Sequence, residues 1–378
     1  MFISTEEFSD NIDKLITHLI SEDLKDDFFR DLVRSCDEKN PLYYLVNNHF
    51  KSVARPSGTA SKEFTYTNSI ISLYGYLESY LEKLADEFVS SINDAKIPIA
   101  ALPKAIRERH LELSLQFLKK IAWDKRQDEA GKRACEKQVV ANLHSFFQED
   151  DEYTLNSKAF AVHSANFRYE LIQSFFAQLG EERIAERTLG IAAVAEKLAG
   201  RQGQEVPEDK DVLKSWLEFE LGELALLRNE IAHGAFERPI ESIELVIERT
   251  EFLQKFGLAL GDILHRSFEE IIFHGKERQE LGKPDRAFAN KFSFGFQGKQ
   301  LNGDEDTFTI MVGNEIFAYN RNSSNKLLKG TVKGLVLDKK SVDEITFPNA
   351  LDCGIKVDFD VTSTMTNREI SISIGSLG

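Results

Sequence analysis

Apolar residues recur at steps of three and four along most of this chain, then at steps of two near its end. The first spacing lines one face of an α-helix and the second lines one face of a β-strand. In YTNSIISLYGYLESYLEKLADEFVSSIN, residues Ile70, Leu73, Leu77, Leu81, Leu84 and Phe88 form one such stripe and predict a long helix. Ile12, Leu15, Ile16 and Leu19 predict another near the start. Further helices are expected to begin near Pro103, Lys132 and Asn166. A last one is expected to open with Pro239 in its first turn, where a missing N–H is harmless. KSVARPSGTASKE (with Pro56 and Gly58), QEDDEYTLNS and AGRQGQEVPEDK read as loops. After HGKERQELGKPDRAFANK the period changes. Phe292, Phe294 and Phe296 alternate with small or polar residues, as do Ile355, Val357, Phe359 and Val361, and Ile370, Ile372 and Ile374. Period two means half-buried strands. The expected fold is mainly α, with helices over residues 1–280, a boundary near residue 285 and a small all-β domain over 286–378.

A chain of 378 residues is long enough for two domains. Its net charge of −15 argues against a broad nucleic-acid coat, which needs a basic surface. It leaves room for one local basic cleft. Between Ala101 and Ala141, ten basic residues stand against six acidic ones. Lys119, Lys120, Lys125 and Arg126 among them are candidate contacts for RNA phosphates, the competing reading being a solvated helix face. No apolar run is long enough to span a bilayer, and MFISTEEFSD lacks the basic-then-apolar pattern of a signal peptide. The expectation is a cytoplasmic protein with no membrane partner. Cys36, Cys135 and Cys353 form no CxxC pair, so neither a zinc site nor a disulfide framework is indicated, and no metal or other cofactor is expected. The NSS at Asn322 reads as a turn.

The stretch LLRNEIAHGAFERP, from Leu226 to Pro239, departs from the helical background. The helix that carries it is expected to start around Asp209, with Leu213, Leu217, Leu224, Leu227 and Ile231 on one stripe. Asn229 and His233 fall roughly opposite, on the side that also carries Phe219 and Leu226. A helix apolar on two sides is sandwiched between other elements or between subunits. Asn229 and His233, four apart, can meet along the helix, and the long stem of Arg228 can bring its guanidinium to the same cleft. Gly234 fits the position that closes a helix with left-handed backbone, which leaves His233 at the negative end of the helix dipole. A histidine that moves a proton and a fixed cation that stabilises a phosphorane are what RNA cleavage by 2′-hydroxyl attack requires. The competing reading is a histidine that merely caps a helix. The other seven histidines read as ordinary surface or core residues.

LLRNEIAHG resembles the RNxxxH-type motif of the HEPN superfamily, and looks most like its RiboL-PSP-HEPN branch and close relatives. SLYGYLESYLE resembles that branch's early helix, in which a tyrosine precedes a glutamate by four; these are Tyr74 and Glu78. SANFRYELIQSFFAQLG resembles the middle helix, with its asparagine at Asn166. The resemblance covers roughly residues 60 to 270 and leaves out the β domain. It implies a HEPN-type helical bundle that forms a homodimer, with the two motif helices facing each other across one cleft. It also implies a metal-independent endoribonuclease that leaves 2′,3′-cyclic phosphate ends, with Arg228 and His233 essential, Asn229 supporting and Glu78 contributing. Such proteins act in bacterial toxin–antitoxin and phage-defence systems, which implies an antitoxin or defence-system partner protein. Toxins silenced by modification of a tyrosine carry it two residues after the histidine; here that position is Ala235, so this control is not expected. The alternative is a non-catalytic HEPN module that binds RNA, nucleotide or protein, which the intact Arg, Asn and His set disfavours. A further alternative is an adaptor whose activity lies in the β domain.

Overall fold

A computed structural model describes residues 1–35, 41–49, 55–148, 152–297, 308–323, 326–347 and 352–373. Cys36 and Ile374 lie outside them. The helices, in chain order, are α1 (Ile3–Ser35), α2 (Pro41–His49), α3 (Arg55–Asp94), α4 (Lys104–Trp123), α5 (Glu129–Phe147), α6 (Ser157–Phe160), α7 (Tyr169–Ala177), α8 (Ile184–Thr188), α9 (Ala192–Arg201), α10 (Lys210–Ala232) and α11 (Ile243–Gly275). Helix α3 is the hub, packing on α1, α6 and α10. All six residues of its predicted stripe, from Ile70 to Phe88, are buried. Removing each such side chain from water stabilises the fold by roughly 1.5–3 kcal/mol before entropy is counted. Gly257 and Gly261 of α11 leave no room for a Cβ against Phe8, Thr5 and Tyr80, so α11 lies closely against α1 and α3. There the Tyr80 hydroxyl donates to the Gly257 carbonyl at 2.7 Å.

Three helix starts differ from the sequence reading. Helix α3 begins at Arg55, so much of the expected loop KSVARPSGTASKE is helical. Pro56 falls in its first turn, where a backbone N–H has no intrahelical acceptor to lose. Asn166 precedes α7 because Arg168 is extended (φ −123°, ψ 175°) and delays the helix to Tyr169. Pro239 also lies ahead of its helix. Ser242 starts α11 instead, its hydroxyl accepting the Leu245 N–H at 3.4 Å, the bond a serine cap supplies and a proline cannot.

The chain divides into two compact units, Met1–Ser267 and Phe268–Gly378. The division therefore falls inside α11, ahead of the change in sequence period near residue 285. The second unit contains β1 (Arg278–Gly282), β2 (Arg286–Phe288), β3 (Ser293–Gln297), β4 (Phe308–Met311), β5 (Glu315–Tyr319), β6 (Leu327–Leu337), β7 (Lys340–Val342), β8 (Glu344–Phe347), β9 (Asp352–Val357) and β10 (Glu369–Ser373). The strand order is β1-β10-β5-β6-β9-β3-β2, all antiparallel, with β7 beside β6 and a separate β4–β8 pair. Strand β6 joins the two halves: Leu327–Thr331 pair with β5, and Val332 and Gly334–Leu337 pair with β9 on either side of a bulge. Phe294, Phe296, Ile355, Val357, Val361, Ile370 and Ile372 share one core, as their alternation predicts. Phe292 does not. It is exposed and left-handed (φ 49°) at the end of a 3-10 turn, which breaks the alternation before β3 begins. Strand β1 arises in a segment that reads as a polar linker. As the edge partner of β10 it buries only Leu281, and a charged edge is compatible with that position.

Candidate functional site

Helix α10 is fixed from three directions. Asp209 caps its start by accepting the Asp211 N–H at 2.9 Å. Leu213, Leu217, Leu221, Leu224 and Leu227 are buried. Glu220, also buried, pairs with Arg201 of α9 at 3.0 Å and lies 3.9 Å from Arg249 of α11, which in turn reaches Glu241 at 2.8 Å. A buried ion cluster adds little net stability but penalises any register that separates its members.

The helix ends as the motif predicts. His233 is the C-cap, and Gly234 is left-handed (φ 68°). The Ala235 N–H donates to the Glu230 carbonyl at 2.8 Å and the Gly234 N–H to the Ile231 carbonyl at 3.1 Å, the paired bonds of a Schellman motif. The segment beyond folds back on the bundle. Arg238 bridges Glu223 (2.5 Å) and Glu230 (2.9 Å) of α10, and the Phe236 ring packs on Tyr66 at 5.6 Å. This clasp holds the turn in which His233 sits. Its imidazole is exposed and makes no hydrogen bond or ring contact among the described residues.

Just before that turn, three elements converge. The Arg228 guanidinium lies 5.1 Å over the Tyr74 ring of α3 and donates to Asn229 Oδ1 at 3.1 Å. Asn166, from the loop between α6 and α7, donates to the same oxygen at 2.7 Å. The Phe167 N–H beside it donates to the Tyr74 hydroxyl at 2.8 Å, and that hydroxyl points at Glu78 Oε1 at 3.5 Å. Burial, with the Glu78 charge adding to it, pushes the Tyr74 phenol up to about 12, so it stays protonated at any physiological pH. Arg228 is thus positioned by a π-face and an amide oxygen, with no further hydrogen bond to its guanidinium among the described residues.

Of the residues picked out from the sequence, Arg228, Asn229, Asn166, Tyr74 and Glu78 form this one network. Only a backbone bond joins His233 to Asn229, from the His233 N–H to the Asn229 carbonyl at 3.0 Å. The expected side-chain meeting of the two is not observed. The face expected to be packed a second time is open in the chain itself: Phe219 is 58% exposed and Leu226 36%. Lys119, Lys120, Lys125 and Arg126 are exposed at the end of α4 and in the turn after it. Arg126 is held by Asp124 at 3.3 Å, and the charge of Lys120 acts on Glu82 of α3. Sequence reasoning missed a neighbouring pair, His163 and Glu82, 2.9 Å apart. Tyr74, Glu78 and Glu82 follow one another at steps of four on α3, a spacing that marks the glutamate; nothing local marks the histidine. Among the described residues no three His, Cys, Asp or Glu side chains come together as a metal site requires, and no helix is long and apolar enough to cross a membrane.

A helical bundle whose motif helix ends in RNEIAHG, with Tyr74 and Asn166 folded onto that end, is a HEPN superfamily domain. The family model for RiboL-PSP-HEPN matches residues 43–266, more than half of the chain, and the protein belongs to that family. The match stops where the first compact unit does. HEPN domains are often ribonucleases, and membership suggests a nuclease or RNA-related function. A search of curated proteins gave no match.

Proposed function

We propose that this chain is a metal-independent endoribonuclease acting as a toxin or phage-defence effector in the cytoplasm. The observation that carries the reading is the fixed guanidinium of Arg228, held on Tyr74 and Asn229 within a few residues of an exposed, unpartnered His233. In the reaction, a 2′-hydroxyl of RNA attacks the adjacent phosphorus and the 5′-oxygen of the next nucleotide leaves. His233 moves a proton at one of these oxygens, and Arg228 stabilises the charge that builds on the phosphorane. Asn229 keeps Arg228 in place, and Glu78 adds its negative charge beside the Tyr74 hydroxyl. Lys119, Lys120, Lys125 and Arg126 meet RNA phosphates.

Within one chain no hydrogen bond joins the His233 and Arg228 side chains, and Phe219 and Leu226 lie open on the face that carries Asn229 and His233. Both features favour a homodimer in which this face meets its own copy, since a self-complementary patch gives a closed two-fold assembly. Two copies of the motif then line one cleft. An antitoxin or defence-system protein is the expected partner, and the β unit is the part suited to sense a trigger or restrain the nuclease.

The test is cleavage of single-stranded RNA in EDTA, with 2′,3′-cyclic phosphate ends in the products. His233→Ala should abolish cutting and leave thermal stability unchanged, because the side chain is exposed and unpartnered. A reaction that EDTA stops and a divalent ion restores contradicts the mechanism. A His233→Ala protein that cuts normally contradicts the site. RNA binding without cleavage would favour the non-catalytic HEPN module instead.

A further inference from the structure

His163 lies in the loop between α6 and α7 and belongs to none of the motifs above. Its Nε2 is 2.9 Å from Glu82 Oε1, and its Nδ1 is 2.9 Å from the Ala165 carbonyl oxygen. Both partners only accept: a carbonyl carries no proton, and the His163 bond holds the Glu82 carboxyl below its ordinary range, with the Lys120 charge helping. To make both bonds, both ring nitrogens must carry hydrogen, so the ring must be an imidazolium. A neutral ring satisfies one partner and turns a lone pair on the other. The ring packs 4.4 Å from Phe167 and 6.3 Å from Phe175 of α7. The charged groups that act on it are Glu82 and Glu78 of α3, with Lys120 of α4 acting on Glu82.

The next residues in the same loop are the ones that reach the motif. Asn166 bonds Asn229, and the Phe167 N–H bonds the Tyr74 hydroxyl. We infer that His163 is a positioning residue: as a doubly donating imidazolium it ties the loop to α3, so that Asn166 and the Phe167 amide are held against Asn229 and Tyr74. The inference deepens the ribonuclease reading of that site and rests on it for its consequence in catalysis.

The pH window follows from the two groups. The hydrogen bond that His163 donates to Glu82 raises the His163 pKa above 6.5, against the opposing effect of burial. The contribution of His163 is therefore complete below 6.5 and is lost as pH rises through that higher value. Glu82 is lowered below 4.5, so its contribution is complete above 4.5 and is lost as pH falls through the lower value. The loop is held between the two limits.

The experiment is hydrogen exchange of the Phe167 amide in the full chain across this range, corrected for intrinsic exchange, together with RNA cleavage. Protection should be highest near pH 6 and fall as His163 deprotonates. His163→Gln should lower it about tenfold at pH 6 and remove its pH dependence. Should that variant fail to fold, Glu82→Gln keeps a hydrogen-bond acceptor but removes the charge, and should move the loss of protection to lower pH. In cleavage, both variants should lower kcat with KM nearly unchanged; Glu82→Gln should shift the alkaline limb of the kcat profile to lower pH, and His163→Gln should remove the part of it that follows His163. Native protection that is flat across the range, or unaltered protection in both variants, overturns the inference. The exchange measurement needs no RNA, so a native protein that never cuts RNA refutes the ribonuclease reading separately.

Discussion

Replacing Tyr74 with phenylalanine removes one oxygen and isolates what it does. The hydroxyl is the acceptor for the Phe167 N–H at 2.8 Å, in a residue that is 1% exposed. Its approach to Glu78, at 3.5 Å, is at the limit of a hydrogen bond and contributes little. The ring remains, and with it the surface on which Arg228 lies. The loss is therefore one buried donor left without an acceptor, which costs about 1–3 kcal/mol. In a helical unit of this size each kcal/mol lowers the midpoint by roughly 2–4 °C, so a loss of about 2 kcal/mol should lower it by about 4–8 °C. Tyr74→Leu should destabilise further, because it also removes the face beneath the guanidinium. The assay is thermal unfolding followed by far-ultraviolet circular dichroism, with exchange of the Phe167 amide as a local readout. A Tyr74→Phe midpoint within about 1 °C of native, with the amide still protected, would refute the assignment of the Tyr74 hydroxyl as that amide's anchor.

Gly234→Ala should destabilise by about 1–2 kcal/mol, all of it from left-handed backbone, since a Cβ there meets nothing within 4 Å; Gly234→Asn should recover part of this in a denaturant titration. Glu220→Ala leaves Arg201 and Arg249 buried without their shared carboxylate, and should cost about 3–5 kcal/mol by urea unfolding; a loss under about 1 kcal/mol would mean the arginines find water. Leu226→Glu should give a helical monomer by light scattering and abolish RNA cleavage, and a monomer that cuts at the native rate would exclude a composite cleft.

What the sequence determined by itself is local. The stripe from Ile70 to Phe88 predicts α3, and the leucines from Leu213 to Leu227 predict the buried side of α10. The glycine after His233 predicts the end of α10, because only a residue tolerant of positive φ closes a Schellman motif there without strain. Period-two alternation predicts β3, β9 and β10, and fails at Phe292, where a turn intervenes. Resemblance to a family adds Tyr74, Glu78 and Asn166 as residues to watch, without saying which atoms meet. The tertiary structure alone decided that Asn166 and Arg228 share one oxygen of Asn229, that a backbone amide occupies the Tyr74 hydroxyl, and that His163 meets Glu82. Apart from the neighbouring Arg228 and Asn229, these contacts join residues 63, 93 and 81 positions apart. Helical periodicity records which side of a helix is apolar. It does not record which partner covers that side, or what an irregular loop presents to it. Those depend on how the helices cross, which the packing of the whole bundle sets.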